Sequence, residues 1–324
     1  MKFSKRHLLT MLAGLALPFT AKTSPADQFP SKPIKLLIGF SAGSSTDTVA
    51  RVIAQKLSES MGQPVVIDNR PGVGGNLAAD LVAKAAPDGY TLLFCNNGLA
   101  ISSSLYPKLP YNTLKDLEPV TQVTSMPHVM LANNSLPANS VKELIALAKT
   151  APGKYNFGSA GAGNSDHMAG ALFNVMAGTD IVHVPYRGGP QAMNDVISGT
   201  VGLYFSGLPG ALPMIKAGMV KALGVSSPRP APALPGVPAI AETVPGYEVN
   251  LWYGLVAPSG TPRDIVERLA SEIAAVLNQD DTKAKLGTLG VDRVGSTPAQ
   301  FKTFFGSEVD KWARVVKTTG ITVN

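Results

Sequence analysis

The sequence has few of the features that mark disulfide-stapled, membrane-spanning or highly charged proteins. Its 324 residues include one cysteine, so no disulfide can form within the chain. Charged residues make up 15%, against roughly 25% in an average soluble protein. No internal apolar run reaches the ~18 residues that a membrane-spanning helix needs. The hydrophobic content of 45% is nevertheless enough for a packed core and excludes general disorder.

The positive net charge lies mainly at the N-terminus. The formal charge is +6, but the first 26 residues hold four basic residues and no acid. The rest of the chain is close to neutral, which argues against nucleic acid as a partner. Met1–His7 is basic, Leu8–Phe19 is mostly apolar, and Ser24-Pro25-Ala26 fits a small-x-small cleavage site. Residues 1–26 are therefore predicted to be a secretory signal peptide.

Strand, loop and helix patterns alternate along the mature chain. Ile34–Phe40, Val65–Ile67 and Thr91–Cys95 are short apolar runs separated by helical segments. Such repeating βα units predict a mostly parallel sheet with helices on both faces. Cys95 is expected to be a buried structural thiol. The pattern restarts after about residue 126, which predicts two α/β units.

Two loops rich in glycine and serine are the main candidates for a binding site. Gly39–Asp47 and Gly158–His167 each follow a predicted strand and open a helix. Unpaired backbone N–H groups and the helix dipole make such positions favourable for anions. Either loop alone also fits plain helix capping. Two of them in separate units indicate a ligand held in a cleft between domains.

Other motifs with chemical meaning are sparse. The sequence contains no P-loop, no G-x-S-x-G elbow, no H-E-x-x-H and no C-x-x-C. His128, His167 and His183 have no ligand-like spacing, so neither metal nor cofactor is expected. Arg187 is placed to reach a carboxylate or to lie in solvent. Trp252-Tyr253 fits core or hinge packing better than ligand stacking.

Several motifs in order resemble the Bug family, the extracytoplasmic solute receptors of tripartite tricarboxylate transporters. The resemblance runs from Phe29 to the C-terminus. It rests on Pro33-Ile34, Asp47-Thr48-Val49-Ala50-Arg51, Asn69-Arg70-Pro71-Gly72, Ala85-Ala86-Pro87-Asp88-Gly89-Tyr90, Leu105-Tyr106, Leu109-Pro110-Tyr111, Val184-Pro185-Tyr186-Arg187-Gly188-Gly189, Trp252-Tyr253-Gly254-Leu255 and Ala257-Pro258-Ser259-Gly260-Thr261-Pro262.

The resemblance implies an α/β, two-domain periplasmic binding protein of the type II, venus-flytrap kind. Residues 27–126 and 251–324 would form the first domain, and residues 127–250 the second. It also implies a periplasmic monomer without enzymatic activity, which binds a small carboxylate and delivers it to the membrane permease subunits of a tripartite transporter.

The resemblance also implies where the ligand binds. The first loop would hold one end of the ligand and the second loop the other, with two asparagines near the cleft. Together with the candidates from the sequence, the expected ligand-binding residues are Phe40, Ser41, Ser44, Ser45, Thr46, Asp47, Asn96, Asn97, Ser159, Ala160, Gly161, Ser165, His167, Arg187 and Ser206.

The sequence departs from the family pattern at two places. Ser41 and Ser44 replace a proline and a glycine that are common in the first loop of the family. Ser206 stands where many relatives carry an aspartate. Because an acid there could pair with an ammonium group, its absence predicts a ligand without an α-ammonium, such as an aliphatic or small aromatic acid.

Two other function classes remain open at this point. A receptor of the same fold could report solute to a sensor kinase without transporting it. A membrane transporter encoded alongside would favour the transport role over this one. An exported hydrolase is the third class, and turnover of a bound carboxylate would distinguish it.

Overall fold

The computed structural model describes residues 29–322, and the predicted signal peptide lies outside them. The strands are β1 Ile34–Ile38, β2 Val65–Asn69, β3 Thr91–Asn96, β4 Leu117–Asn133, β5 Asn156–Ser159, β6 Val182–Pro185, β7 Leu203–Gly207, β8 Val220–Val225, β9 Asn250–Pro258 and β10 Asp292–Arg293. The α-helices are α1 Ser45–Met61, α2 Asn76–Ala83, α3 Gly98–Leu105, α4 Val141–Thr150, α5 Ser165–Ala177, α6 Gly189–Ser198, α7 Leu208–Lys216, α8 Arg263–Leu277, α9 Asp280–Thr288 and α10 Pro298–Thr319. Among these residues no helix is both long and apolar enough to cross a membrane.

The strands form two groups that share β4. Their order is β2-β1-β3-β9-β4-β7-β5-β6, with β8 and β10 also paired to β4. Strand β4 pairs with β9 as far as Pro127, opposite Asn250, and with β7 from His128, opposite Gly207. One strand of 17 residues therefore runs through both halves of the molecule.

The sheet is mixed, which corrects the prediction of a mostly parallel sheet. The outer strands pair in parallel, as β1 does with β2 and β3, and β5 with β6 and β7. The central strands β4 and β9 pair antiparallel with each other and with their neighbours β3 and β7. The βα units account for the parallel parts, whereas the strands that cross between the halves run in the opposite direction.

The second crossing lies beside the first. The Val249 amide donates to the Ser226 carbonyl at 3.1 Å, and the Ser226 amide donates to the His128 carbonyl at 2.9 Å. Strand β9 then carries Trp252 and Tyr253 into the core, where both are almost fully buried. The Trp252 indole donates to Glu308 Oε2 of α10 at 2.9 Å, so α10 anchors the crossing strand.

Both glycine-serine loops lie where the sequence predicts them. The first joins β1 to α1, and the second joins β5 to α5. Ser44 is the N-cap of α1 and Asn164 is the N-cap of α5. In an open α/β sheet this edge, at the carboxyl ends of the strands, is where ligands bind.

Helix α5 packs closely on strand β5 at Gly170, and a substitution there can test this packing. A Cβ at Gly170 would lie 2.3 Å from the ring of Phe157, a buried residue of β5, whereas a Cβ at Gly306 in α10 would meet nothing within 4 Å. Gly170→Ala should lower the free energy of unfolding by about 1–3 kcal/mol through overpacking. Gly306→Ala should raise it by about 0.5–1 kcal/mol, because alanine favours a helix. Chemical denaturation measures both, and equal effects of one sign would contradict this packing.

Candidate functional site

The first loop presents free backbone amides at the start of α1. The Ser44 hydroxyl accepts from the Asp47 amide at 3.2 Å, which caps the helix. No hydrogen bond within the described chain uses the amides of Ser45 and Thr46, the first two residues of α1. They therefore remain available to an anion, in the positive field of a helix of 17 residues.

The Asp47 carboxylate stabilises this loop through hydrogen bonds on the side away from the cavity. Its carboxylate accepts from the Gly43 amide at 2.9 Å, from Arg51 Nε at 2.8 Å and from Asn69 Nδ2 at 3.0 Å. Burial raises the pKa of the Asp47 carboxyl, but the hydrogen bonds from Arg51, Gly43 and Asn69 outweigh it and hold the pKa below its usual value. Asp47 is thus ionised and fully engaged, and it orders the loop rather than facing a ligand.

The second loop differs from the first because its backbone amides donate hydrogen bonds to its own side chains. The Ala160 amide donates to Asp166 Oδ2 at 2.9 Å, and the Gly161 amide donates to Ser159 Oγ at 3.2 Å. The Gly163 amide donates to His167 Nδ1 at 3.1 Å. Three donors expected to hold an anion are therefore already satisfied inside the loop.

A pair of histidines supports the second loop. The rings of His167 and His183 stack with centroids 3.9 Å apart, and His183 Nε2 lies 2.6 Å from the Ser159 hydroxyl. Burial lowers the pKa of His167 to about 4, and burial together with the neighbouring His167 lowers that of His183 to about 3. Both rings are neutral at physiological pH. Ser159 is fully buried, and neither Ser159 nor His183 lines the cavity that lies between the two loops.

A small cavity lies between the two loops and the crossing strands. Its volume is about 30 Å³. Seven of the expected residues line it, namely Phe40, Ser44, Ser45, Thr46, Asn96, Ala160 and Ser165. The lining residues that the sequence analysis did not select are His128, Asn164, Asp166, Gly189, Tyr204, Gly207, Leu251 and Tyr253.

The other expected residues lie next to the cavity or behind it. Gly161 and Arg187 line an outer groove. Ser41 Oγ donates to the Arg187 carbonyl at 3.4 Å, and Asn97 Nδ2 donates to the Asn250 carbonyl at 3.0 Å. Asp47, Ser159 and His167 hold the loops as described above. The remaining candidate, Ser206, donates from Oγ to the Gly207 carbonyl at 3.1 Å.

Hydrogen bonds join the two halves across the cavity. Tyr106 Oη donates to the Ala162 carbonyl at 2.6 Å, and Asn96 Nδ2 donates to Asn164 Oδ1 at 3.0 Å. Ser45 Oγ accepts from the Gly210 amide at 3.1 Å. A Cβ at Gly74 would lie 2.5 Å from the Ala162 carbonyl oxygen. The cleft is therefore closed, and the two loops face each other at hydrogen-bonding range.

Two buried side chains of the cavity wall lack hydrogen bonds. Within residues 29–322, the two ring nitrogens of His128 make no hydrogen bond of normal geometry. The hydroxyl of Tyr253 makes none either. Burial lowers the pKa of His128 to about 4, so its ring is neutral. Buried polar groups are usually paired, and these two are therefore suited to a bound solute.

Asp166 is the acidic residue of the cavity wall. Burial raises the pKa of its carboxyl to about 6, although hydrogen bonds from the Ala160 amide and from Tyr204 favour the charged form. The expectation of a ligand without an ammonium group rested on the neutral Ser206 and on Asp47 serving its own loop. Asp166 adds a carboxyl group to the cavity wall that this expectation did not consider.

The donor set shows no metal-binding character. Within residues 29–322, no group of three or more histidine, cysteine, aspartate or glutamate side chains is arranged to hold a metal ion. Cys95 is buried, as expected, and donates to the Gly254 carbonyl at 3.4 Å. The cavity instead offers amides, hydroxyls, one neutral imidazole and one carboxylate.

Comparison with known proteins identifies the family. The family model described as "Tripartite tricarboxylate transporter family receptor" matches residues 49–321. The chain belongs to this receptor family. The protein BugT of Bordetella pertussis is 36% identical over 311 residues, which cover 95% of this chain and 94% of BugT. The resemblance to Bug receptors is thereby confirmed.

Solved structures of similar proteins have the same fold. The periplasmic binding protein BugD superposes with a TM-score of 0.88 at 31% identity, over 91% of this chain and 99% of BugD. The protein Rpa4515 of R. palustris, solved with adipate, gives a TM-score of 0.88 at 36% identity, over 91% of this chain and 99% of Rpa4515. The two-domain α/β fold of a periplasmic binding protein is confirmed for this receptor.

The raised pKa of Asp166 predicts a pH dependence of stability. Because the folded protein holds this proton more tightly than the unfolded chain, the contribution of Asp166 to stability falls as the pH rises from about 4 to about 6. In ligand-free receptor, Asp166→Asn should therefore raise Tm by a few degrees at pH 7.5 and leave it nearly unchanged at pH 4. Melting curves across this range measure the difference. A variant that melts below the wild type at pH 7.5 would show that the carboxylate is compensated.

Proposed function

We propose that this receptor closes on a small solute with a carboxylate group and delivers it to the membrane permease subunits of a tripartite transporter. The observation that carries the proposal is the pair of free amides at Ser45 and Thr46, which open onto the cavity. No lysine or arginine lines that cavity, so backbone donors and the helix dipole are what the first loop offers to an anion.

The similarity to an adipate-bound protein supports a carboxylate ligand. Adipate carries two carboxylates, and its binding protein shares 36% identity and a TM-score of 0.88 with this receptor. In this proposal one carboxylate of the solute accepts hydrogen bonds from the Ser45 and Thr46 amides. The remaining polar wall, which includes Asn96 and His128, holds the rest of the solute.

We also propose that residues 1–26 direct export to the periplasm, where the mature chain acts as a monomer with two domains. Residues 27–126 and 251–324 form one domain and residues 127–250 the other. The change of partner along β4, between Pro127 and His128, supports the boundary near residue 126.

Ligand binding should stabilise the receptor by mass action. A ligand present at a hundredfold excess over its Kd adds about 2.7 kcal/mol to the free energy of unfolding. We expect a clear rise in Tm with at least one small mono- or dicarboxylate, measured on protein stripped of retained solute. Neutral sugars of similar size serve as controls. A broad panel of carboxylates, amino acids included, that produces no shift would reject the carboxylate ligand.

A proline at position 45, the first residue of α1, can test the contribution of the Ser45 amide to binding. Ser45→Pro deletes the Ser45 amide hydrogen, and proline suits this position because Ser44 has an extended conformation, with φ −68° and ψ 160°. Ser45→Ala is the control, because it removes the hydroxyl that bridges to Gly207 and Gly210 and retains the amide.

We expect Ser45→Pro to weaken binding of the carboxylate by about tenfold more than Ser45→Ala does, because a hydrogen bond to a charged group contributes about 1.5–3 kcal/mol. Titration calorimetry with the solute that gives the largest Tm shift measures both variants. Equal affinities of the two variants would mean that the first-loop amide does not contact the carboxylate.

A further inference from the structure

Asp166 is a buried acid with no positively charged partner. It is 4% exposed, lies in the first turn of α5 and lines the cavity. Oδ2 accepts from the Ala160 amide at 2.9 Å, and the carboxylate makes no ion pair in the part of the chain that the structure describes. A buried charge of this kind is costly unless it is neutralised by a proton or a cation.

The groups that face Asp166 are neutral. Tyr204 of β7 approaches the carboxylate directly, Tyr253 of β9 lies close enough to sense its charge, and Ser165 is its neighbour on α5. His128 of β4 completes this wall, and its ring is uncharged. The protein therefore supplies Asp166 with hydrogen bonds and the positive end of the α5 dipole, but with no positively charged side chain.

The two ends of the cavity have opposite electrostatic character. At the first loop, Ser45 and Thr46 present free N–H groups. At the second loop, Asp166 has taken the Ala160 amide and presents a carboxylate. A solute with two carboxylates would place one of them against Asp166, which like-charge repulsion disfavours. A solute with one negative and one positive end matches both loops.

We propose that Asp166 is a ligand-binding residue that pairs with a protonated amine, so that the receptor takes a carboxylate that also carries an ammonium group. This inference rests on the proposed function and narrows its solute class to amino acids and related amino carboxylates. The unpaired nitrogens of His128 and the unpaired hydroxyl of Tyr253, both buried in the same wall, provide further hydrogen bonds to such a solute.

Pairs of probes that differ in the amine group can separate its contribution to the affinity from that of the carboxylate. The pairs are aspartate and succinate, glutamate and glutarate, and alanine and propionate, each measured by titration calorimetry on receptor stripped of solute. Asp166→Asn is the main variant, since its amide oxygen can still accept from Ala160. Asp166→Ser is a second, smaller replacement. Asp180→Asn, an exposed acid of the same domain outside the cavity, is the control for a change of net charge.

We expect at least one amine-bearing probe to bind the wild type more than tenfold tighter than its amine-free partner. Asp166→Asn and Asp166→Ser should each remove that preference, by about tenfold or more, as loss of a buried charge partner does. Asp180→Asn should leave the preference unchanged.

The outcomes separate this inference from the proposed function. Tighter binding of the amine-free probes by the wild type, with no loss in the Asp166 variants, would overturn the amine site and leave the carboxylate receptor intact. Binding of no probe from either set, together with no Tm shift from the broad carboxylate panel, would overturn both.

Discussion

The antiparallel pairing of β4 with β9 is the interaction on which the rest of the structure depends. It extends from Leu117 opposite Pro258 to Pro127 opposite Asn250. Beyond Pro127, β4 continues directly into the second half of the sheet. These paired crossing strands bring the carboxyl ends of β1 and β5 together, so that two loops from distant parts of the sequence face each other. The same strands contribute His128 and Tyr253 to the cavity wall.

The two loops look alike in sequence but differ in what they present. Asp47 turns away from the cavity because Arg51 and Asn69 hold it, and this leaves the first amides of α1 free. Asp166 has no such cation. Its carboxylate accepts the Ala160 amide of the second loop and lines the cavity. The position of one arginine, a single helical turn after Asp47, thus accounts for much of the electrostatic contrast between the two ends of the cleft.

The sequence predicts the loops and the outer strands well because their signals are local. Apolar runs before glycine-serine loops identify β1 and β5, and helical periodicity identifies α1 and α5. The crossing strand β9 has no comparable local signal, since Trp252-Tyr253 is compatible with any buried element. His128 lies within a strand and enters the cavity through a long-range pairing. Asp166 is visible in the sequence as the acid of the second loop, but no local pattern shows that its side chain faces the cavity.

The most direct test of the account is the identity of the solute that the receptor retains. Mass spectrometry of small molecules released by denaturing freshly purified protein measures it without a choice of probes. We expect one dominant species with at least one carboxylate, in an amount close to that of the protein. A dominant species without an acidic group, such as a neutral sugar, would contradict the central claim that the free amides of α1 hold a carboxylate.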